Sequence, residues 1–238
     1  MAVFVMADLH LATADSQKSM EVFGNRWKNY IEKIKCNWER VVGENDTVIL
    51  PGDISWGLAT ADALDDLLWI DALPGKKILL KGNHDFWWST VSKLNAFFEE
   101  HNIKTIEILN NNAIELEDMI IAGTRGWFTD KSMQNVEENV DYAKIVNREA
   151  IRLKMSLDAA KKLQGDGEKQ INVFLHFPPV WGEYVCSQIL NVLVEYNIKR
   201  CYFGHIHGVY SVPSSFEHSG IRFSLISADF LEFLPQIL

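Results

Sequence analysis

Five short apolar runs in the sequence are each followed, within a few residues, by Asp, Asn or His. Runs of this length are typical of buried β-strands, and the sites of open α/β sheets form just beyond the carboxyl ends of such strands. We therefore expect the five polar groups to converge on one crevice. The runs and the residues that follow them are 2–7 with Asp8 and His10, 47–50 with Asp53, 77–80 with Asn83, His84 and Asp85, 171–175 with His176, and 199–203 with His205 and His207.

Helical periodicity separates the first three of these runs. Apolar residues recur at helical spacing over 19–42, which predicts an amphipathic helix. Further helices are predicted over 60–72, with Thr60 as a candidate N-cap, and over 89–100. Strands that alternate with helices in this way favour a parallel sheet with crossover helices.

Antiparallel pairing is predicted twice in the second half of the chain. Strand-like runs at 105–109 and 114–122 flank three asparagines, and this arrangement is typical of a β-hairpin. The runs at 209–212 and 221–227 are also predicted to be antiparallel strands. Together with the parallel first half, these pairs favour a sheet-rich α/β fold.

A long helix is predicted over 135–163, introduced by Asn135 and Glu138 as a capping box. We expect one domain over 1–238, because the chain contains no repeat and no low-complexity tract. Within it, 124–166 forms a candidate cap-like insertion that could cover a site.

The residue types that follow the strands indicate metal ions. Three carboxylates, five imidazoles and one amide cannot be buried together unless something compensates them, and cations do so. A mixed nitrogen and oxygen set without cysteine indicates Mn, Fe or Zn and argues against a structural zinc site. Nine candidate residues exceed what one four-coordinate ion needs, so two ions are expected.

The spacing within the motifs supports a shared target. Asp8 and His10 are two residues apart, as are His205 and His207. Side chains at this spacing point to the same side of extended backbone, so each pair can reach one place. Gly82 comes directly before a ligand candidate, where glycine permits a sharp turn.

In order along the chain, the motifs are DLH, GD, GNHD, a single His after a strand, and GHIH, and they run from Asp8 to Gly208. This series resembles the calcineurin-like metallophosphoesterase family. Each motif alone occurs by chance, whereas five in order, each after a strand, are specific. The resemblance implies a four-layer α/β/β/α sandwich with two mixed β-sheets, the metallo-dependent phosphatase fold. It also implies a dinuclear metal site that hydrolyses phosphoester bonds.

The resemblance further implies a role for each matching residue. The implied ligands are Asp8, His10 and His207 for the first ion, Asp53 as the bridge, and Asn83, His176 and His205 for the second ion. His84 would contact the phosphate and protonate the leaving oxygen, or stabilise its charge. Asp85 would accept a hydrogen bond from His84 and set its tautomer. The nucleophile would be a metal-bound hydroxide, with no covalent enzyme intermediate.

Some residues near the motifs have two interpretations. Many family members carry an acidic residue three positions after the bridging Asp, where this chain has Trp56. Arg125, in a glycine-flanked loop, either contacts the substrate phosphate or forms a surface ion pair. Five tryptophans near motifs or loops either pack the core, which we favour, or stack on a base or aryl group. These five are Trp56, Trp87, Trp88, Trp127 and Trp181.

The amino-acid composition limits which molecules the protein is expected to bind. Lys and Arg total 23, Asp and Glu total 32, and the net charge of −9 argues against long nucleic acids. We expect a cytoplasmic protein without a membrane partner, because no basic signal-peptide region or long apolar run is present.

The expected enzyme hydrolyses a small phosphomonoester or phosphodiester. The alternatives are a nucleotide or cyclic-nucleotide hydrolase, a nuclease, and a non-catalytic metal-bound scaffold; substrate, native metals and oligomeric state stay open.

Overall fold

The computed structural model describes residues 1–13, 18–128 and 141–238. The chain divides into two compact units, which we call the first unit and the second unit. The first unit comprises Met1–Ile108, His205–Val212 and Ile226–Leu238, and the second comprises Leu109–Gly204 and Pro213–Leu225. The expectation of one domain over 1–238, with 124–166 as a cap-like insertion, stays a prediction.

The described residues form thirteen β-strands and five α-helices. The strands are β1 (Val3–Val5), β2 (Thr47–Pro51), β3 (Lys76–Leu80), β4 (Ile106–Ile108), β5 (Ala113–Glu115), β6 (Met119–Thr124), β7 (Gln170–Leu175), β8 (Val180–Trp181), β9 (Tyr184–Val185), β10 (Arg200–Phe203), β11 (Ser215–His218), β12 (Ile221–Leu225) and β13 (Gln236–Ile237). The helices are α1 (Tyr30–Val41), α2 (Leu64–Asp71), α3 (Val91–Glu100), α4 (Tyr142–Gln164) and α5 (Ser187–Glu195). Short 3₁₀ turns lie at Met20–Phe23, Asn25–Trp27 and Thr60–Ala63.

The first unit is built on a five-stranded sheet with the order β13-β1-β2-β3-β4. β1 to β4 are parallel, and β13 pairs antiparallel with β1. All five residues of β2 are buried, as expected for an inner strand of a parallel sheet. The carboxyl ends of β1, β2 and β3 therefore lie at the same edge of the sheet, as the sequence predicts.

The helix predicted over 19–42 is shorter than expected. α1 begins at Tyr30, and the residues before it form two separate 3₁₀ turns. Gly24 has a φ of 117° and Asn29 a φ of 54°, and neither value continues a right-handed helix. The apolar periodicity persists because side chains on this face, among them Trp27, are buried in the core.

The other helices of the first unit lie where they were predicted, although one cap differs. The N-cap of the 3₁₀ turn before α2 is Ala59, and Thr60 is instead the first residue of that turn. The Thr60 hydroxyl instead donates to the main-chain oxygen of Trp87 at 2.9 Å. Thr90 caps α3, because its hydroxyl accepts a hydrogen bond from the Lys93 N–H at 3.4 Å.

The second unit contains a six-stranded sheet with the order β11-β12-β10-β7-β6-β5. Its four inner strands are parallel, and both edge strands are antiparallel to their neighbours. α4 packs against β5, β6 and α5, and β8 and β9 form a separate antiparallel pair. Two mixed sheets with packed helices confirm the predicted mixed α/β class.

Two predicted strand pairings are wrong. The runs at 105–109 and 114–122 do not form a hairpin, because β4 pairs parallel with β3 while β5 and β6 form the hairpin. Residues 209–212 are not a strand, and the antiparallel neighbour of β12 is β11. The apolar pattern locates strands, but the partner of each strand depends on residues that are distant in the sequence.

The prediction of a long helix over 135–163 is confirmed for most of its length by α4. It begins at Tyr142, after Asp141, whose side chain accepts a hydrogen bond from the Lys144 N–H at 3.0 Å. The predicted capping box of Asn135 and Glu138 lies outside the described residues. Across the described ranges, none of the helices combines the length and the apolar character that spanning a bilayer requires.

Candidate metal centre

The turns that follow β1 and β2 hold Asp8, His10 and Asp53 in unusual backbone conformations. Their φ angles are 62° for Asp8, 46° for His10 and 52° for Asp53, in a region that few residues other than glycine adopt. Main-chain hydrogen bonds maintain this geometry. The Asp8 N–H donates to the oxygen of Gly52 at 3.0 Å, and the His10 N–H donates to that of Asp53 at 2.9 Å. The two turns therefore present their side chains together.

The turn after β3 packs directly against Asp53. A Cβ atom at Gly82 would lie 2.1 Å from Oδ1 of Asp53 and 2.2 Å from its main-chain nitrogen. The N–H of His84 donates to the same Oδ1 at 2.8 Å. Only glycine permits so close an approach, which explains its position immediately before Asn83.

Asp8, His10 and His207 form a group in which one ligand atom of each residue lies within 4.8 Å of the others. Nε2 of His10 is 3.3 Å from Nε2 of His207 and 3.6 Å from Oδ2 of Asp53. Nδ1 of His10 is buried and has no hydrogen-bond partner among the described residues. Imidazole nitrogens and carboxylate oxygens that face one another fit a cation, which would accept their lone pairs.

Asp53 also lies beside a second group of potential ligands. Ligand atoms of Asp53 and His205 lie within 4.8 Å of each other. Nδ1 of His205 is 3.0 Å from Oδ1 of Asn83. The His205 N–H donates to both carboxylate oxygens of Asp8, at 2.9 and 3.1 Å. Four of the five predicted strand-end groups thus come together within the first unit.

Burial controls the protonation of these groups. It raises the pKa of Asp8 to about 6. Burial, followed by the charges of Asp85 and Asp8, raises the pKa of Asp53 well above its ordinary value. Burial also lowers the pKa of His205 to about 3 and that of His10 well below its ordinary value. Neutral imidazoles are competent ligands, and a cation would relieve the burial of the two carboxylates.

Asp229 belongs to the site, although the sequence analysis missed it. Its Oδ1 is 2.8 Å from Nδ1 of His207, and its Oδ2 accepts hydrogen bonds from the Gly208 N–H and the Tyr210 hydroxyl at 3.0 and 3.1 Å. Burial opposes charge on His207, but the hydrogen bond to Asp229 and the charges of Asp8 and Asp229 outweigh it and raise the pKa of His207. A carboxylate behind a ligating histidine is a common support in metal sites.

Asp85 has partners other than the predicted one. Its buried carboxylate accepts hydrogen bonds from five groups in the turns after β2 and β3. These donors are the N–H groups of Asp53 at 2.9 Å, Ile54 at 2.8 Å, Ser55 at 3.3 Å and Gly82 at 2.7 Å, and the Trp87 indole at 3.0 Å. The His84 ring is not one of them, so the predicted hydrogen bond is wrong. Asp85 therefore joins the turn after β2 to the turn after β3, because its carboxylate accepts hydrogen bonds from main-chain N–H groups of both.

Aromatic rings pack around the histidines of the first unit. Trp56 stacks on His10, with ring centroids 4.9 Å apart and an angle of 26° between the planes. Its centroid is also 4.6 Å from that of His84. Trp27 meets the ring of His207 edge-on at 5.6 Å. Burial, followed by the charge of His207, lowers the pKa of His84 and favours its neutral form.

The five tryptophans of the sequence analysis have different environments. Trp56 lines the cleft beside the candidate ligands, together with His84. Trp87 is buried and packs on Trp88 at 5.3 Å, which agrees with a core role. The remaining pair belongs to the second unit, where Trp127 packs on Phe177 at 4.6 Å and Trp181 on Phe203 at 5.9 Å.

His176 and Arg125 also belong to the second unit. His176 follows β7 directly and is buried, and its N–H donates to the main-chain oxygen of Arg125 at 3.1 Å. The guanidinium of Arg125 lies 4.4 Å from the centre of the Trp127 ring and 3.4 Å from the buried carboxylate of Glu149. The role of His176 as a metal ligand and that of Arg125 in phosphate binding stay predictions.

Fold and site together define a class of protein. The fold contains two mixed sheets. Carboxylates and imidazoles that follow the strand ends lie close enough together to bind metal ions. A family model described as calcineurin-like phosphoesterase matches residues 1–209. The chain therefore belongs to the calcineurin-like phosphoesterase family, as its motifs predict.

Individual relatives match less of the chain. The Gene 66 protein of Mycobacterium phage L5 is 50% identical over 48 residues, which cover 20% of this chain and 23% of that protein. The Gene 66 protein of Mycobacterium phage D29 is 35% identical over 83 residues, or 35% of this chain and 40% of that protein. The match thus spans less than half of either relative. Phosphopantetheinyl Hydrolase (PptH) from Mycobacterium tuberculosis is similar in fold, with a TM-score of 0.52 and 13% identity over 100% of this chain and 95% of that chain.

Proposed function

We propose that this protein is a dinuclear metal-dependent phosphoesterase that hydrolyses a small phosphomonoester or phosphodiester. The observation that carries the proposal is the group of the buried Asp8 and His10 with the partly buried His207, in which Asp53 lies only 3.6 Å from His10. Carboxylates and imidazoles buried at this density are unfavourable unless cations compensate them. The family supplies the class of reaction, and the number of ligands supports two ions.

The ligands are assigned from the residues that approach one another. One ion is assigned to Asp8, His10 and His207, the shared carboxylate is Asp53, and the other ion is assigned to Asn83 and His205, with His176 as a further ligand predicted from the family pattern. Mn, Fe and Zn suit this mixture of donors. When bound, two such ions supply the Lewis acidity that activates water and stabilises the charge of the phosphoryl group.

His84 is assigned to the leaving oxygen. Its main chain is held by Asp53, and its ring lines the cleft beside the ligands. Because burial favours the neutral imidazole, one ring nitrogen carries a proton and can donate a hydrogen bond at neutral pH. We therefore assign His84 to the stabilisation of negative charge on that oxygen as it departs.

Asp85 and Asp229 are positioning residues. Asp85 fixes the turns that carry Asp53 and Asn83, and Asp229 fixes the ring of His207. Neither residue needs to touch the substrate to affect the reaction. Their effect is exerted through the ligands that they orient, since misplacement by about 1 Å is costly at reacting centres.

The test of the proposal is the metal content of the wild type and of Asp53→Ala. After removal of metal and reloading with Mn²⁺, elemental analysis of the wild type should give two ions per chain. Asp53→Ala should bind fewer than one, because the shared carboxylate is lost. Asp46→Ala is the matched control, since Asp46 is an Asp of the first unit whose carboxylate bonds to the N–H groups of Ala2 and Gly43. A single ion per wild-type chain, or unchanged binding in Asp53→Ala, would contradict the dinuclear site.

A further inference from the structure

A cleft of about 400 Å³ opens within the first unit beside the candidate ligands. Its lining includes the site residues His10, Asp53, His84, His205 and His207. The other side chains of the lining are apolar and mostly aromatic, and they lie next to the histidines. These side chains are Met20, Phe23, Trp27, Trp56 and Tyr210. A phosphoester held at the ligands would therefore direct its organic group towards aromatic rings.

Two of these aromatic residues have large exposed surfaces. Phe23 is 69% exposed, at the end of the 3₁₀ turn Met20–Phe23, and Tyr210 is 45% exposed. Single exposed apolar side chains are common, but these two line one concave surface. The ring of Tyr210 is held in place, because its hydroxyl donates to Asp229 and the guanidinium of Arg26 lies 4.6 Å from the ring centre.

The charge of the cleft limits the substrate. Among the described residues that line the cleft there is no Lys or Arg, although an Asp is present. Two cations lie just outside this lining, but Arg26 is paired with Glu232 at 3.2 Å and Lys18 donates to the main-chain oxygen of Trp56 at 3.4 Å, so a second phosphate group would find no Lys or Arg among the lining residues themselves. The net charge of −9 adds to the repulsion of a polyanion. The cleft suits a molecule whose single phosphate is its only charged group.

We infer that the substrate is a phosphoester with one phosphate group and an uncharged organic group that carries an aromatic ring. The phosphate lies at the candidate metal ligands, and the aromatic ring contacts Phe23, Trp56 and Tyr210. Aromatic rings favour edge and face contacts of this kind over contact with water. This inference rests on the proposed function, because the phosphate is placed at the metal site.

Two phosphonates with the same anionic head group test the inference without turnover. Calorimetry on the metal-loaded protein should show benzylphosphonate binding about tenfold more tightly than hydroxyethylphosphonate. Phe23→Ala should reduce this preference about fivefold. Val22→Ala is the matched control, because Val22 is 77% exposed in the same turn, and it should preserve the preference within about twofold.

The outcomes separate this inference from the proposed function. If the metal-loaded protein hydrolyses phosphoesters but binds both phosphonates equally or binds neither, the inference is wrong and the proposed function stands. The inference is also wrong if Phe23→Ala and Val22→Ala change the preference equally. If the protein neither takes up metal nor hydrolyses any phosphoester, the proposed function fails and the inference fails with it.

Discussion

Nδ1 of His207 lies 2.8 Å from Oδ1 of Asp229. Burial opposes charge on Asp229, but its hydrogen bonds to His207, Gly208 and Tyr210 and the charge of His207 keep its pKa low. An ionised carboxylate only accepts hydrogen bonds, so Nδ1 of His207 must carry a proton. Nε2 is the nitrogen that faces His10, and in the neutral ring it presents a lone pair to a metal ion.

Asp229→Asn should weaken metal binding by about 10- to 100-fold, because the amide no longer fixes the ring of His207 or its tautomer. Competition with a chelator measures the affinity. Glu232→Gln is the matched control, since this exposed carboxylate pairs with Arg26 and should leave metal affinity unchanged. Equal affinity of Asp229→Asn and the wild type would show that Asp229 does not support the site.

His84→Ala should retain both metal ions and lose turnover by about 10²- to 10⁴-fold, because the donor to the leaving oxygen is removed. Elemental analysis and steady-state hydrolysis of nitrophenyl phosphate, measured on the same sample, separate the two effects. His101→Ala is the control, as this histidine packs on Phe97 at the end of α3. Loss of a metal ion from His84→Ala would mean that His84 is a ligand.

Gly82→Ala should lower the free energy of unfolding by about 3 kcal/mol or more and abolish metal binding. The new Cβ would lie within 2.2 Å of two atoms of Asp53, one of which is in the main chain, so the turn cannot remain in place. Denaturant titration measures the stability. Gly43→Ala is the control, because its Cβ would make only one ordinary contact, 3.4 Å from Asp46. Similar stability of both variants would contradict this packing.

Metal affinity should rise with pH through about 6. Burial raises the pKa of Asp8 to about 6, so below this pH Asp8 is protonated in the metal-free protein and must release its proton to bind a cation. Asp53 and His207, whose pKa values are also raised, add to this release, whereas His10 and His205, with lowered pKa values, are already neutral and release none. Calorimetry in buffers of different ionisation enthalpy should therefore detect proton release near pH 6, decreasing towards about pH 8. Binding without proton release at either pH would contradict the shifted pKa.

The same pKa values affect the stability of the metal-free protein in opposite directions. The raised pKa of Asp8 contributes stability below its ordinary value, and this contribution is lost as pH rises through about 6. The lowered pKa values of His10 and His205 reduce stability as pH falls below their ordinary value. Because these effects oppose each other, proton release on metal binding is the clearer measurement.

Much of the site was predictable because strand ends and ligand types are local properties. Asp8, Asp53 and Asn83 each follow an apolar run within a few residues, and neighbouring parallel strands place such residues at one edge of a sheet. The sequence around Gly82 also indicated a tight turn, although the atoms that require glycine are those of Asp53, 29 positions earlier (82 − 53).

The remaining features depend on long-range contacts. Asp85 was assigned to its sequence neighbour His84, but its donors include main-chain groups of 53–55 from a different turn. Asp229 follows β12 by four residues and belongs to none of the five motifs that identified the other strand ends. The pairing of β4 with β3 was missed because a short apolar run does not reveal its neighbour.

The most direct test of the central claim is the hydrolysis of nitrophenyl phosphate and its diester by metal-free protein reloaded separately with Mn²⁺, Fe²⁺, Ni²⁺ or Zn²⁺. We expect turnover with at least one of these ions, no turnover in the metal-free protein, and loss of activity in Asp53→Ala. The absence of hydrolysis of either ester with all four ions, in protein that is folded and metal-loaded, would contradict it.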